Sequence, residues 1–523
     1  MSDPVERSAL TRPRDNTRFA AILIVLLTAC VAFAWSHVKL LSQDEFFVLQ
    51  TDSVSSLREL ISIQRHYPIS LDPLVFHVLA HACTKVFGPT ALALRLPSIF
   101  GFLLMQVCLF FVTRAIAGAR AALVAMAFPA LTATLFYAPE ARPYGLLLGL
   151  YALAFLAWRT ATRRSERRAG SLTVLAVAVA LTLNTHYFGV LILVPLCMAE
   201  VARILLRRRL DVPVIAAIVL GMAGIVFALP FQKAAGAFRK HYYNAGEISL
   251  RAISQAYRSL FVNYTTQPMG VQRIEAVLLV AFALVLIALC ILRLRARAVT
   301  IPGAELVFLV ALAALPLFGV ALAKFVTHSI EVRYVLSAII AISIFVAVAV
   351  EPWLRHRLSP NSIVAILAVG VLVAGVLRIR NELVKSKQQL ALLVLSPSLK
   401  AQLLALPDSH LYIQDMGHFE VASYYEPDPE IRSRITLLYS HEDELRYDRH
   451  DTASLTAEHM QHFAGFHIVP YAQLKAMPGD HMLVLYHSGW NWTDQALAAD
   501  GASVKSLDSA LDGDAVLVNH SAR

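Results

Sequence analysis

Apolar residues in this chain fall in long, nearly unbroken runs, and the polar residues are confined to what lies between them. Eleven runs stand out: about 19–40, 91–113, 119–137, 143–159, 171–186, 188–206, 212–231, 271–292, 304–325, 333–352 and 361–379. A bilayer core is crossed by roughly 17–25 such residues in helical form, so the pattern predicts a polytopic α-helical membrane protein with about eleven transmembrane helices. A twelfth segment, Pro73 to Phe87, is apolar but short and carries His77, His81 and Lys85. It reads as a helix lying in the interface or re-entrant within the protein. From residue 381 the pattern changes. Short apolar runs (His410–Ile413, Ile435–Leu438, His481–Tyr486, Ala515–Val518) alternate with polar, helix-compatible stretches. This predicts a small α/β domain over 381–523 after a membrane domain over 1–380.

The polar connections orient the spans. Arg7, Arg12, Arg14 and Arg18 precede the first; Arg114 and Arg120, Arg163 to Arg168, Arg207 to Arg209, Arg293 to Arg297, and Arg355 with Arg357 fill alternate connections. Lys and Arg concentrate in cytoplasmic loops, so the expected topology has a cytoplasmic N-terminus. Residues 42–90, the 232–270 loop and the C-terminal domain then lie outside, and the chain belongs in a bacterial inner membrane. If Pro73–Phe87 crossed, every later cluster would face the wrong side.

Composition agrees. Hydrophobic residues make up 57% and charged residues 16% of 523, with a mean hydropathy of +0.60, more apolar surface than a soluble chain can bury. No cleavable leader is evident before the first run. The net charge of +10 raises the question of nucleic acid. Its distribution excludes that reading: residues 1–380 hold 36 Lys/Arg against 17 Asp/Glu, and the remainder 10 against 19. The five cysteines all sit in apolar runs with no CxxC, as small core residues do.

Candidate chemistry gathers in the outside connections. Asp44-Glu45 follows the first span, where two carboxylates suit removal of a proton from a hydroxyl; a solvated acidic pair capping the next helix is the plainer account. Glu140 and Arg142 sit in the tight turn Tyr137-Ala-Pro-Glu-Ala-Arg-Pro-Tyr144. Either they stiffen the turn as an ion pair, or they line a polar cavity, since charges at membrane depth usually face a site. His186 and Tyr187 occupy the next outside turn. Glu331, Arg333 and Tyr334 begin the tenth span beside His328, where Arg333 is equally a phosphate ligand or a snorkelling side chain. Arg239, Lys240 and His241 place cations on the outer side against the usual bias, and a lipid phosphate would account for them. No Walker loop, zinc motif, nucleophile elbow or dinucleotide fingerprint is present, and the cytoplasmic connections are too short to build a nucleotide site.

At these residues the chain resembles the GT-C glycosyltransferases, in the branch of protein O-mannosyltransferases and lipid A aminoarabinose transferases. The resemblance covers about 19–380. It is carried by Asp44-Glu45, by Leu71-Asp-Pro-Leu-Val-Phe-His77 with Phe87-Gly-Pro and Leu94-Arg-Leu-Pro-Ser98, and by Glu140-Ala-Arg-Pro-Tyr144, His186-Tyr-Phe and Arg333-Tyr334. Asp72 departs from the family, where many members have a proline or a basic residue, and the family's second acid is often Asp where this chain has Glu140. The resemblance implies a polyprenyl-phosphate sugar as donor, a lipid or glycan as acceptor, and inverting transfer at the outer face. Asp44 would be the base, with Glu45 or Glu140 positioning. Arg333, Tyr334, Arg239 and Lys240 would hold the donor phosphate, and Asp72, Arg142, Tyr144, His186 and Tyr187 the sugar or acceptor. No cofactor is required, although Asp44 and Glu140 can offer ligands to a divalent metal. The tail lacks the sugar-binding modules of eukaryotic protein mannosyltransferases, which weighs against a protein acceptor. The competing expectations are a transporter or flippase of lipid-linked sugar, which predicts broken helices and an internal repeat, a protein O-glycosyltransferase, a polymerase or oligosaccharide transferase, and a structural membrane protein.

Overall fold

A computed structural model describes residues 17–520 apart from 164–165, 239–240, 242–249, 263–268, 297–298, 328–330, 394, 406–408, 487–490 and 511–512. Helix α1 (Thr17–Val38) leads into three short helices, α2 (Gln43–Asp52), α3 (Leu57–His66) and α4 (Leu74–Phe87). The last coincides with the short apolar segment. It buries Phe76, His77, Ala80, His81 and Thr84 along one face.

The next element, α5 (Ala91–Leu131), contains two of the apolar runs and breaks at Gly118, where φ is +85°. A straight helix would set residues 106 and 126 about 30 Å apart. Instead the Gln106 side chain donates to the Met126 carbonyl at 3.0 Å, so the chain doubles back at Gly118, in a conformation that β-carbons resist. Helix α6 (Tyr144–Arg163) then packs against α5 at backbone contact: a β-carbon on Gly101, Gly145 or Gly149 would strike the facing main chain. Glycines permit that approach between apolar helices, and it fixes the turn before α6 over the end of α5.

The bundle continues with α7 (Arg168–Leu183), α8 (Leu193–Arg207), α9 (Val212–Ala223), α10 (Leu229–Ala237), α11 (Leu250–Ser259), α12 (Met269–Arg295), α13 (Gly303–Ala313), α14 (Leu315–Leu322), α15 (Ala338–Arg357) and α16 (Pro360–Leu393). Every one of the eleven runs is helical. By length and composition, among the described residues, seven helices can cross a membrane, or nine if each of two bent pairs is one span. The difference from eleven has two sources: two runs share the α5 hairpin, and α7 is only 16 residues long. The two bent pairs turn by 47° and 56°.

The arginine clusters meet at one end of the bundle. Arg120 reaches the Arg355 carbonyl, Arg293 pairs with Glu351, Arg163 with Glu305, and Arg168 and Arg203 with Asp211.

Beyond α16 and α17 (Pro397–Ala405) lies a six-stranded sheet in the order β3-β2-β1-β4-β6-β5. Strands β1 (Leu411–Ile413), β2 (Ile435–Tyr439), β3 (Ile468–Pro470) and β4 (Asp480–Tyr486) are parallel, whereas β6 (Gly513–Asn519) runs antiparallel to both of its neighbours, β4 and β5 (Ser503–Ala510). All four expected strands are present. The two that the pattern missed, β3 and β5, are the sheet's edges, which carry less apolar sequence.

Helix α18 (Met416–Tyr425), which follows β1, docks this unit on α2. Tyr425 accepts the Leu41 amide at 2.9 Å, and the Phe46 ring meets Tyr424 edge-on at 5.5 Å. Nearby, Tyr67 stacks on His462 at 3.8 Å.

Candidate active site

The polar centre lies where α1, α2, α5 and α6 converge, at the end of the bundle that carries the sheet domain. Helix α2 starts at Ser42, and Glu45 reaches back to accept the Ser42 amide at 3.0 Å, as residues three positions into a helix do. Glu45 thus makes the cap of the plainer sequence reading, but it is not solvated as that reading had it. Its carboxylate is fully buried and also takes the Arg95 guanidinium (Nε to Oε1, 2.8 Å), the Ala141 amide (2.8 Å) and Lys39 (3.5 Å). Burial alone would push the Glu45 pKa up, but Arg95 and Lys39 together hold it far below the usual carboxylate range. Arg95 itself is fully buried and donates to the carbonyls of Ser36, Lys39 and Leu40 at the end of α1. This assembly clamps three segments together, and it leaves Glu45 no free oxygen to offer a substrate.

Asp44 is its opposite. One residue earlier on α2, and about 100° around the axis, it is 37% exposed. It lies between two guanidinium groups, Arg142 Nη1 at 3.3 Å and Arg333 Nη1 at 3.2 Å. Arg142 comes from the turn before α6 and Arg333 from a 3₁₀ turn at residues 332–335. Both guanidinium groups lie over the Tyr144 ring at 5.7 Å, which holds the planar forks side by side. The Nε of each is buried without a hydrogen-bond partner.

The remaining candidates line the same centre. Asp72 sits 3.7 Å from Arg142 Nη2 and 3.6 Å from His186 Nε2. His186 Nδ1 accepts the Phe188 amide, leaving Nε2 as the protonated nitrogen toward Asp72. The Tyr334 ring covers His186 at 4.8 Å and Phe188 at 4.5 Å. The Tyr187 hydroxyl is buried with no hydrogen-bond partner. Glu140 faces Lys39 at 3.6 Å. Burial pushes the Glu140 carboxyl above its usual range, with Lys39 pulling the other way. Sequence reading did not single out Lys39. Its signal was there, a lone cation at the outer end of the first span, against the positive-inside bias.

Arg239 and Lys240 lie outside the described residues. Their neighbour His241 pairs with Asp451 of the sheet domain at 2.6 Å. Among the described residues no group of three or more His, Cys, Asp or Glu side chains is arranged to hold a metal ion.

The chemical capacity of this arrangement is specific. A partly exposed carboxylate stands within reach of two permanent cations whose donors are not all used, beside buried acceptors and hydroxyls.

Comparison with known proteins agrees with this architecture. The family described as "Dolichyl-phosphate-mannose-protein mannosyltransferase" matches residues 72–231, a segment that includes Asp72, Glu140, Arg142, Tyr144, His186 and Tyr187. No curated protein sequence matches significantly. Among solved structures, ArnT from Cupriavidus metallidurans bound to undecaprenyl phosphate is similar over 96% of this chain and 98% of its own. The TM-score is 0.61 and the identity 14%. Its apo form gives 0.59 at 15% identity over the same shares. The archaeal oligosaccharyltransferase AglB from Archaeoglobus fulgidus aligns at 0.45 and 12% identity, over 94% of this chain and 73% of that one.

Proposed function

We propose that this chain is a membrane glycosyltransferase of the GT-C superfamily, a reading supported by its fold and by the matched segment, and that it transfers a sugar from a polyprenyl-phosphate donor to a lipid or glycan hydroxyl. The observation that carries the reading is Asp44 held between Arg142 and Arg333. The reaction needs a base and a phosphate-stabilising cation on the same few ångströms of surface, and these residues supply both. The similar Cupriavidus protein is described as bound to undecaprenyl phosphate, which supports a carrier of that class. The Arg-rich end of the bundle is read as cytoplasmic, so the site would face the periplasm.

In this mechanism the carrier phosphate engages the guanidinium of Arg333, displacing it in part from Asp44. The acceptor oxygen attacks the anomeric carbon as the bond to the phosphate oxygen breaks, and its proton passes to Asp44. The phosphate leaves with the electron pair, stabilised by Arg333 and Arg142. A single displacement inverts the anomeric centre. Glu45 acts at one remove, by fixing α2 through Arg95. No step demands a metal.

Asp44→Asn tests the reading directly. Loss of a positioned base lowers transfer by about 10²–10⁴-fold, while undecaprenyl phosphate binding and thermal stability stay near wild type. Retention of most activity would remove Asp44 from the chemistry.

The two bent helix pairs favour a second reading, a transporter of lipid-linked sugar, because broken helices line such pathways. A transporter returns the donor intact, so release of free polyprenyl phosphate from purified protein separates the two.

A further inference from the structure

At the end of the bundle away from the polar centre, α1 and the α5 hairpin enclose a groove of about 450 Å³. Clefts that take a whole ligand run from about 300 to 1,000 Å³. The wall is apolar. Ala21, Phe110 and Met126 are buried behind it, while Ile22, Leu26 and Phe111 line it with much of their surface exposed. The transfer mechanism makes no use of this groove.

Its length is limited at both ends. Along α1 the lining runs from Arg18 to Leu26, a helical rise of about 12 Å. That is less than half of the ~30 Å hydrocarbon layer, so the groove stops within one leaflet. Just beyond Leu26 it is sealed. Gln106 donates to the Thr28 hydroxyl at 3.1 Å and to the Met126 carbonyl at 3.0 Å, which ties α1 to both arms of the hairpin. Thr28 and Gln106 are fully buried, and polar side chains paired in this way hold apolar helices together. A chain lying in the groove therefore cannot continue along this seam toward Asp44.

The other end is cationic. Arg18 lines the groove and is exposed, one turn before Ile22 on α1. Arg114 follows Phe110 by one turn on α5 and lays its guanidinium over that ring, 5.8 Å from the centroid. Two permanent positive charges thus stand at the mouth of an apolar slot about one leaflet deep. A lipid with an acyl chain and an anionic head is complementary to that arrangement, and basic pockets between membrane helices take acidic headgroups in the same manner.

We infer that the groove binds an anionic phospholipid of the leaflet at the arginine-rich end. One acyl chain lies along Ile22, Leu26 and Val107, and the headgroup phosphate meets Arg18 and Arg114. A zwitterionic lipid brings a phosphate too, but its ammonium offsets the charge, so discrimination rests on the net charge of the head. This site is distinct from the proposed donor site. The polar centre begins past Val38, about 18 Å of helix beyond Leu26, and the inference does not rest on the transferase reading.

The test uses the full chain in phosphatidylcholine nanodiscs containing a trace of phosphatidylglycerol or phosphatidylcholine with a photoactivatable diazirine on one acyl chain. Adducts are mapped by peptide mass spectrometry. The phosphatidylglycerol probe is expected to label residues 19–26 and 107–111 about 10-fold more than the phosphatidylcholine probe, as two cations near the membrane surface favour an acidic lipid. Arg18→Gln combined with Arg114→Gln should abolish that preference. Neither side chain is buried, and Arg7, Arg12 and Arg14 keep the charge before the first span, so the melting temperature should stay near wild type. Ile22→Trp, which fills the slot from its exposed side, should lower labelling of 107–111 by both probes. Equal labelling by the two probes in wild type, an unchanged preference in the double variant, or labelling unaffected by Ile22→Trp overturns the inference. Preferential labelling of the same segments by a photoactivatable polyprenyl phosphate also overturns it, by giving the groove to the carrier's tail.

Discussion

Glu305, at the arginine-rich end of the bundle, is held by Arg159 at 3.1 Å and Arg163 at 2.5 Å. At the same end Glu200 takes Arg203 at 2.6 Å and the Trp158 indole at 3.2 Å. At the opposite end Asp44, Asp72 and Glu140 meet their cations at 3.2 to 3.7 Å. There Asp72 Oδ2, Arg142 Nε and Arg333 Nε lack hydrogen-bond partners. Carboxylates meet guanidinium groups at both ends. What differs is saturation: the pairs around Glu305 and Glu200 are closed on themselves, although Arg293 Nε at that end lacks a partner, and the Asp44 set leaves several donors and acceptors for something else. Within the second set, Glu45 repeats the closed pattern one residue from Asp44. The sign and number of charges thus say little about role; the completeness of their pairing says much.

That contrast can be broken most forcefully at Asp44 and Glu45 together. Asp44→Asn is expected to lose transfer by about 10²–10⁴-fold in a protein of normal stability. Glu45→Gln strands the buried Arg95 charge and should cost about 3–5 kcal/mol of stability. Its activity per folded molecule should fall far less. If thermal unfolding and turnover showed the same profile in both variants, the distinction between open and closed pairs would be lost.

Arg333 sharpens it next. Arg333→Ala should be nearly inactive and bind undecaprenyl phosphate weakly, with Arg333→Lys between it and wild type, since lysine keeps the charge but not the fork. Equal carrier binding in all three would return Arg333 to a snorkelling role. At the far end, Glu305→Gln takes the carboxylate from Arg159 and Arg163. The melting temperature should drop while the turnover of the surviving folded protein stays at the wild-type value.

The smallest effect concerns pH. Burial raises the folded-state pKa of Glu140 above its unfolded value of 4.5. Below 4.5 both states carry the proton and the associated stability is complete; it is lost as pH rises through the folded value. Melting temperatures measured from pH 4 to 7 should therefore decline less steeply in Glu140→Gln than in wild type. Parallel profiles would show that Glu140 is not the group concerned.

Much of this was legible in the sequence, for a physical reason. Hydrocarbon demands long apolar runs, so all eleven helical segments could be read one by one, as could the four inner strands, whose short apolar runs are largely buried. The hairpin at Gly118 agrees with that reading: the runs 91–113 and 119–137 read as separate spans, and the chain doubles back between them. At the site, Asp44 and Glu45 are adjacent and chemically alike, and only Arg95, fifty positions on, decides which of them is buried. Sequence order carries no such distance. Arg142 and Arg333 were found as candidates separately, but their convergence on one carboxylate required the fold.

Helix α16 has a consequence for mechanics. Its 34 residues make a rod of about 51 Å, longer than the ~30 Å hydrocarbon layer. It rises from the bundle, where Arg378 caps the Ala130, Leu131 and Thr132 carbonyls, and continues unbroken to the foot of the sheet. A rod of that kind converts bilayer thickness into height. A thicker membrane draws more of it in, or tilts it, and either motion shifts α18 against α2, the joint beside Asp44. The lipid surroundings thereby gain a lever on the gap between the two halves of the protein.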